Sequence, residues 1–176
     1  MPGDAGLFPA EAARAVREVV AASPLLREHL GRIDATIGAI EGMLGGYVDL
    51  GRAQQVWRVV AGRLRDARAE VGSAASGAEP GWRGDDHQAY LDYRAGVLHR
   101  MEQAEQTVGR LAAVVGQTRG RLAEQYRVSA AALVRAAGVL VVLSAGTGRV
   151  EGAAVRPALT VLCDLVDQVA LALPPV

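Results

Sequence analysis

Apolar residues return every third or fourth position over most of this chain, the spacing of one face of an α-helix. A short helical pattern opens at Pro9 and runs to about Ala22. Ser23-Pro24 then reads as an N-cap with proline at the first helical position, where its missing N–H costs nothing. From there Leu26, Leu30, Ile33, Ile37, Ile40 and Leu44 share one face. Gly45-Gly46 is expected to interrupt or kink that helix, and the pattern resumes through Ala53, Trp57, Val60, Leu64, Ala67 and Val71. A loop rich in Gly, Ala and Ser follows from Gly72 to Gly81, with Pro80 as a stop.

The next helix starts at Gly84-Asp85-Asp86, where acids suit the partly positive helix N-terminus. From Val97 the apolar steps alternate four and three through Met101, Ala104, Val108, Leu111, Val115, Thr118 and Leu122, a heptad seam that calls for a facing helix. Trp57, Val60, Leu64 and Val71 are expected to supply that face. Beyond Arg127 the character changes: residues 1–127 hold 32 charged positions and residues 128–176 hold six. Two apolar helices are expected there: Val128–Leu143, apolar nearly all round and so buried in protein or lipid, and Pro157–Leu173, whose polar face is Arg156, Asp164, Asp167 and Gln168. No strand alternation occurs. The expected fold is all-α, with N-terminal helices over residues 1–44, an antiparallel hairpin over 45–127 turning at 72–84, and an apolar helical pair over 128–176 that completes a bundle.

Composition narrows the possibilities. Charge balances at zero, which gives no general electrostatic reason to expect nucleic acid or an anionic membrane. All 19 basic residues are arginine; a GC-rich genome explains the absence of lysine. The cluster Arg58, Arg63, Arg65 and Arg68 is interleaved with Asp66 and Glu70 and has no aromatic stacking platform, so it reads as a solvated face. No targeting segment is expected at the N-terminus. The longest charge-free run, 136–148, is 13 residues against the ~20 that a membrane span needs, so no transmembrane helix is expected.

Between the two heptad-bearing segments stands Trp82-Arg83-Gly84, followed by Ala89-Tyr90. Over residues 42–140 this arrangement resembles the WXG superfamily, the helical-hairpin substrates of type VII (ESX) secretion. Trp82, Gly84, Ala89 and Tyr90 match the family's Trp-x-Gly turn and the small and aromatic residues after it. The resemblance implies a non-enzymatic protein that pairs helices with itself or with a second hairpin of this type, handled by a secretion ATPase and exported. One feature departs from the pattern: no tyrosine here is followed four places on by Asp or Glu, since Tyr47, Tyr90, Tyr93 and Tyr126 are followed by Gly51, Arg94, Val97 and Ala130. A partner would therefore carry the export signal, or the chain would stay in the cytoplasm.

The residues give little support to catalysis, and no cofactor or metal is expected. His87 has no metal partner four places on, and His99 with Glu102 makes half a site at best. His29 beside Glu28 reads as surface. Cys163 lies in an apolar stretch where burial would leave its thiol inert. Two readings from other classes fit the same pattern: a cytoplasmic helical adaptor or chaperone-like bundle, and a protein that touches membrane through its C-terminal apolar helices.

Overall fold

A computed structural model describes residues 7–78, 83–146, 150 and 152–172. All regular structure among them is helical: α1 (Ala10–Ala22), α2 (Leu30–Ala78), α3 (Asp85–Ala145) and α4 (Val155–Ala172), with single 3-10 turns at Arg27–His29 and Gly152–Ala154. The all-α expectation holds. The helices are longer than the periodicity suggested. α2 passes through Gly45-Gly46 unbroken, and α3 passes Arg127 unbroken, so the expected boundaries at 44 and 127 fall inside helices. Gly46 is there for close approach: a Cβ would sit 3.1 Å from the Leu122 side chain of α3.

The chain forms two compact units, one from Met1–Val48 with Gly120–Val176 and one from Asp49–Arg119. The first holds the core. Val16 and Val20 of α1, Ile33, Ile37 and Ile40 of α2, Leu133 and Leu140 of α3, and Leu162, Leu165 and Val169 of α4 are all nearly inaccessible to water. Each helix gives one stripe, and four stripes meeting leave almost no exposed edge. Tyr126 is buried among them, and desolvation pushes its phenol above the usual value.

Ser23-Pro24 does not start a helix. A residue before proline is driven to extended backbone, and Ser23 has ψ 118°, closing α1 through its N–H to the Val19 carbonyl. Its hydroxyl donates to the Val150 carbonyl at 3.0 Å, a buried bond that ties the α1–α2 turn to the segment before α4. Leu26 is buried in that turn, and α2 begins only at Leu30.

The C-terminal part of α3 is not buried all round. Leu133, Ala136 and Leu140 face the core, whereas Val128, Val134, Val139, Val141 and Val142 are exposed, Val142 at 72%. By length and composition alone, α3 contains a stretch apolar enough to cross a membrane, with 33% of it buried. That differs from the expectation based on charge-free runs, because Arg135 divides the run without making the helix polar. Its guanidinium donates to the Gln168 side chain of α4 at 3.3 Å. Cys163 also departs from expectation: it is exposed on α4, beside His29, Arg32 and Ile33, because the core stripe of α4 falls on Leu162 and Leu165 instead.

Stability should follow this burial. Leu133→Ala removes a fully enclosed side chain and should cost about 3 kcal/mol in urea unfolding. Val108→Ala, at a half-buried position of the other unit, should cost about 1 kcal/mol. Equal costs would contradict a core confined to the first unit.

Candidate interaction surface of the hairpin

Among the described residues, the second unit consists of two helices, the α2 and α3 segments within Asp49–Arg119. Polar pairs fix its register. Arg65 Nε donates to Glu105 Oε1 at 2.9 Å, and Arg68 lies 3.4 Å from Glu105 Oε2 and 3.8 Å from Glu102. Arg94 donates to the Gly72 carbonyl at 3.0 Å. Farther down, the Arg119 guanidinium lies over Gly51, 3.2 Å from where a Cβ would be, and the Gln54 amide occupies the space that a Cβ on Gly116 would need. Residue 65 thus sits level with 105, 54 with 116 and 51 with 119: an antiparallel hairpin.

The packing seam is not the one that apolar periodicity selects. Trp57, Val60 and Leu64 on α2, and Met101, Val108 and Val115 on α3, are half-buried along the hairpin, as expected, and Leu122 is half-buried on α3 in the first unit. Val71 and Leu111 are not in the seam; they stand 36% and 42% exposed. Toward the base of α3 the seam is shifted by one residue, from Leu111 and Thr118 to Ala112 and Arg119, whereas Val97 and Ala104 are half-buried together with their neighbours Leu98 and Glu105. Ala112 is the one buried residue of this unit among those described. The shift has a cause in the polar pairs above. Glu105 faces α2 to meet Arg65 and Arg68, and Arg119 faces it to lie over Gly51. Small residues at Ala61, Gly62, Gly109, Ala112 and Ala113 leave an open notch of about 370 Å³ between the helices, flanked by Gln54, Arg58 and Arg65.

This rotation gives the hairpin two unlike broad sides. With 100° per residue, Gln54, Arg58, Gly62 and Arg65 share a side with Glu102, Gly109 and Ala113. The opposite side gathers Val56 and Val71 of α2 with Tyr93 and Leu111 of α3, and Val59 and Val114 are exposed on the faces turned away from the seam. Val56 is 60% exposed and Tyr93 is 68% exposed. Pairing with α2 therefore covers only part of the apolar stripe of α3.

At the head of α3, Gly84 takes φ +102°, a conformation L side chains rarely adopt, and its carbonyl accepts from the N–H groups of His87 and Gln88. Asp85 and Asp86 occupy the first turn. Ala89 is exposed and Tyr90 half-buried. Trp82 lies outside the described residues. The histidines do not converge: the His99 ring shares a hydrogen bond with Gln103, His29 lies 3.5 Å from Glu28, and His87 is half-buried near the start of α3. Among the described residues, no three His, Cys, Asp or Glu side chains cluster as metal ligands would. Glu105, Arg68, Arg94, Arg119 and Gln54 are the seam residues that the apolar reading passed over. Their signal was the glycine opposite two of them and the carboxylate standing where a heptad places an apolar residue.

No protein-family model, curated protein or solved structure matches this chain.

Gly84→Ala should destabilise the hairpin by about 1–2 kcal/mol, because the strain is in the backbone and no neighbour crowds the site. Thermal unfolding followed by circular dichroism checks this; an unchanged melting temperature would mean that the turn relaxes to negative φ at no cost.

Proposed function

We propose that this protein acts by pairing helices and performs no catalysis, as a substrate of a type VII (ESX)-like secretion system or as the partner of one. The observation that carries the reading is the antiparallel hairpin of α2 and α3 with Gly84 at positive φ just before α3; the sequence puts Trp82 two residues before that glycine and Ala89-Tyr90 five and six after it. Its uncovered apolar side supports a pairing role, because two helices alone leave apolar surface that a further helical partner would cover. The partner is a second hairpin of the same class, self or non-self. Because no tyrosine is followed four residues on by Asp or Glu, that partner carries the export signal that the secretion ATPase reads.

Blotting culture medium and cell pellet of the native host, with and without its type VII secretion ATPase, tests the proposal. The protein should disappear from the medium only when the ATPase is absent. Trp82→Ala should keep helicity and lower export or partner binding severalfold. Retention in the pellet of both strains would leave a cytoplasmic helical adaptor, with Trp82-Arg83-Gly84 no more than a turn.

A second reading is favoured by one observation, the exposed valine face of α3 within its membrane-competent stretch. On that reading Val134, Val141 and Val142 lie against lipid, and Arg135 reaches the headgroup level. The full chain should then float with liposomes, and Val142→Glu with Val134→Glu should abolish flotation. A chain that stays at the bottom of the gradient removes this reading.

A further inference from the structure

Gly51 has no side chain, yet a guanidinium fills its place. Arg119 reaches across from α3 and lies with Nε 3.2 Å and Cζ 3.3 Å from the point that a Cβ on Gly51 would take. Arg58 and Arg65 follow on the same side of α2 at seven-residue steps, and both border the notch between the two helices. Seven residues of helix rise about 10.5 Å. Three guanidinium levels, at 51, 58 and 65, therefore run at that interval along one edge of the notch.

Over most of its length this row has no acid beside it. Residues 50–65 of α2 and 106–119 of α3 contain six arginines and no carboxylate. Arg65 meets Glu105 at the end of the row, yet its side chain stays 65% exposed. Arg58 is exposed and forms no ion pair among the described residues. The other two arginines of the sequence cluster point elsewhere: Arg68 meets Glu105 at 3.4 Å in the seam, and Arg63 stands about 140° round the helix from Arg58. The floor of the notch carries nothing larger than a methyl group, at Ala61, Gly62, Gly109, Ala112 and Ala113. Among the described residues, those lining it include no aromatic ring on which a nucleic-acid base could stack.

We infer that the notch is a docking groove for a single acidic helix of another protein, one whose carboxylates recur every seventh residue. In a straight helix laid along α2, such carboxylates rise by the same 10.5 Å or so per step as the guanidinium row. Each can then accept a charge-assisted hydrogen bond from an arginine. The bare floor lets that helix come close, and the small apolar residues between its carboxylates fill the opening. Charge supplies the selection. An acidic helix meets attraction at every level, whereas a basic one is repelled throughout. The groove lies on the broad side opposite Tyr93 and Leu111, so the inference stands whether or not the chain is exported or pairs with a second hairpin.

Fluorescence anisotropy on the full chain at low salt tests the inference with two labelled alanine-rich helical peptides of identical composition. One carries three glutamates at seven-residue intervals, and the other carries the same three spread round the helix. The first should bind about fivefold more tightly than the second. Arg58→Glu should weaken it about tenfold. Gly109→Leu, which fills the notch without changing charge and meets no neighbour, should weaken it severalfold. Arg63→Glu makes the same charge change on the far side of α2 and should leave affinity within about twofold. Circular dichroism checks that all three variants keep their helicity. Failure of the first peptide to bind, equal affinity for the two peptides, or an equal loss with Arg63→Glu and Arg58→Glu would each overturn the inference. So would a short single-stranded oligonucleotide that binds more tightly than the first peptide, since the notch would then be a polyanion site.

Discussion

Two helices in contact can hide one stripe each, and everything else on them faces outward. That limit governs this protein. In Met1–Val48 with Gly120–Val176, α1 and α4 supply the extra faces, so Ile37, Leu133 and Leu165 are enclosed from every direction. The described residues of Asp49–Arg119 form the two helices alone, and burial falls to the half-covered state of Trp57, Leu64 and Val108. The same two helices thus carry a close-packed core in one unit and a thin interface in the other.

Thin interfaces change what a polar residue costs. A carboxylate at a fully enclosed seam position would have to shed its water; Glu105 keeps 17% of its side chain exposed and gains two guanidinium neighbours. Arg119 and Gln54 are accommodated in another way, by glycines that let long side chains lie flat across the facing helix. These groups add little to stability, since partly exposed ion pairs are worth about 0–1 kcal/mol. What they set is rotation. By turning Glu105 and Arg119 toward α2, they turn Leu111 and Thr118 away from it and leave Leu111 exposed.

Much of this was legible in the residues. Spacing of three and four located Ile33, Ile37 and Ile40 in the core and Met101, Val108 and Val115 in the hairpin seam, because a helix face follows from backbone geometry alone. What periodicity could not supply was the choice between adjacent frames. Val97-Leu98, Ala104-Glu105 and Leu111-Ala112 offer two neighbouring stripes, and the selection was made by partners on another helix, invisible without the register. Gly45-Gly46 misled for a related reason: glycine lowers helix propensity by about 1 kcal/mol, but a tertiary contact such as Leu122 on Gly46 outweighs it. Ser23 carried a cap signal, and its hydroxyl was used 127 residues away instead.

The notches at Gly51 and Gly116 also index the hairpin along its own length. A smooth apolar seam could slide by one heptad and lose little. Here a slide in one direction brings Arg119 level with Arg58, guanidinium against guanidinium. A slide in the other brings Arg119 level with Leu44, where no glycine makes room for it, and moves Glu105 from Arg65 and Arg68 to Arg58. The polar residues behave as unequal teeth on a rack: they grip weakly, yet they mesh in one position only. A hairpin of this kind can exchange one apolar seam residue for another with small effect, but it is intolerant of a heptad insertion or deletion on either side.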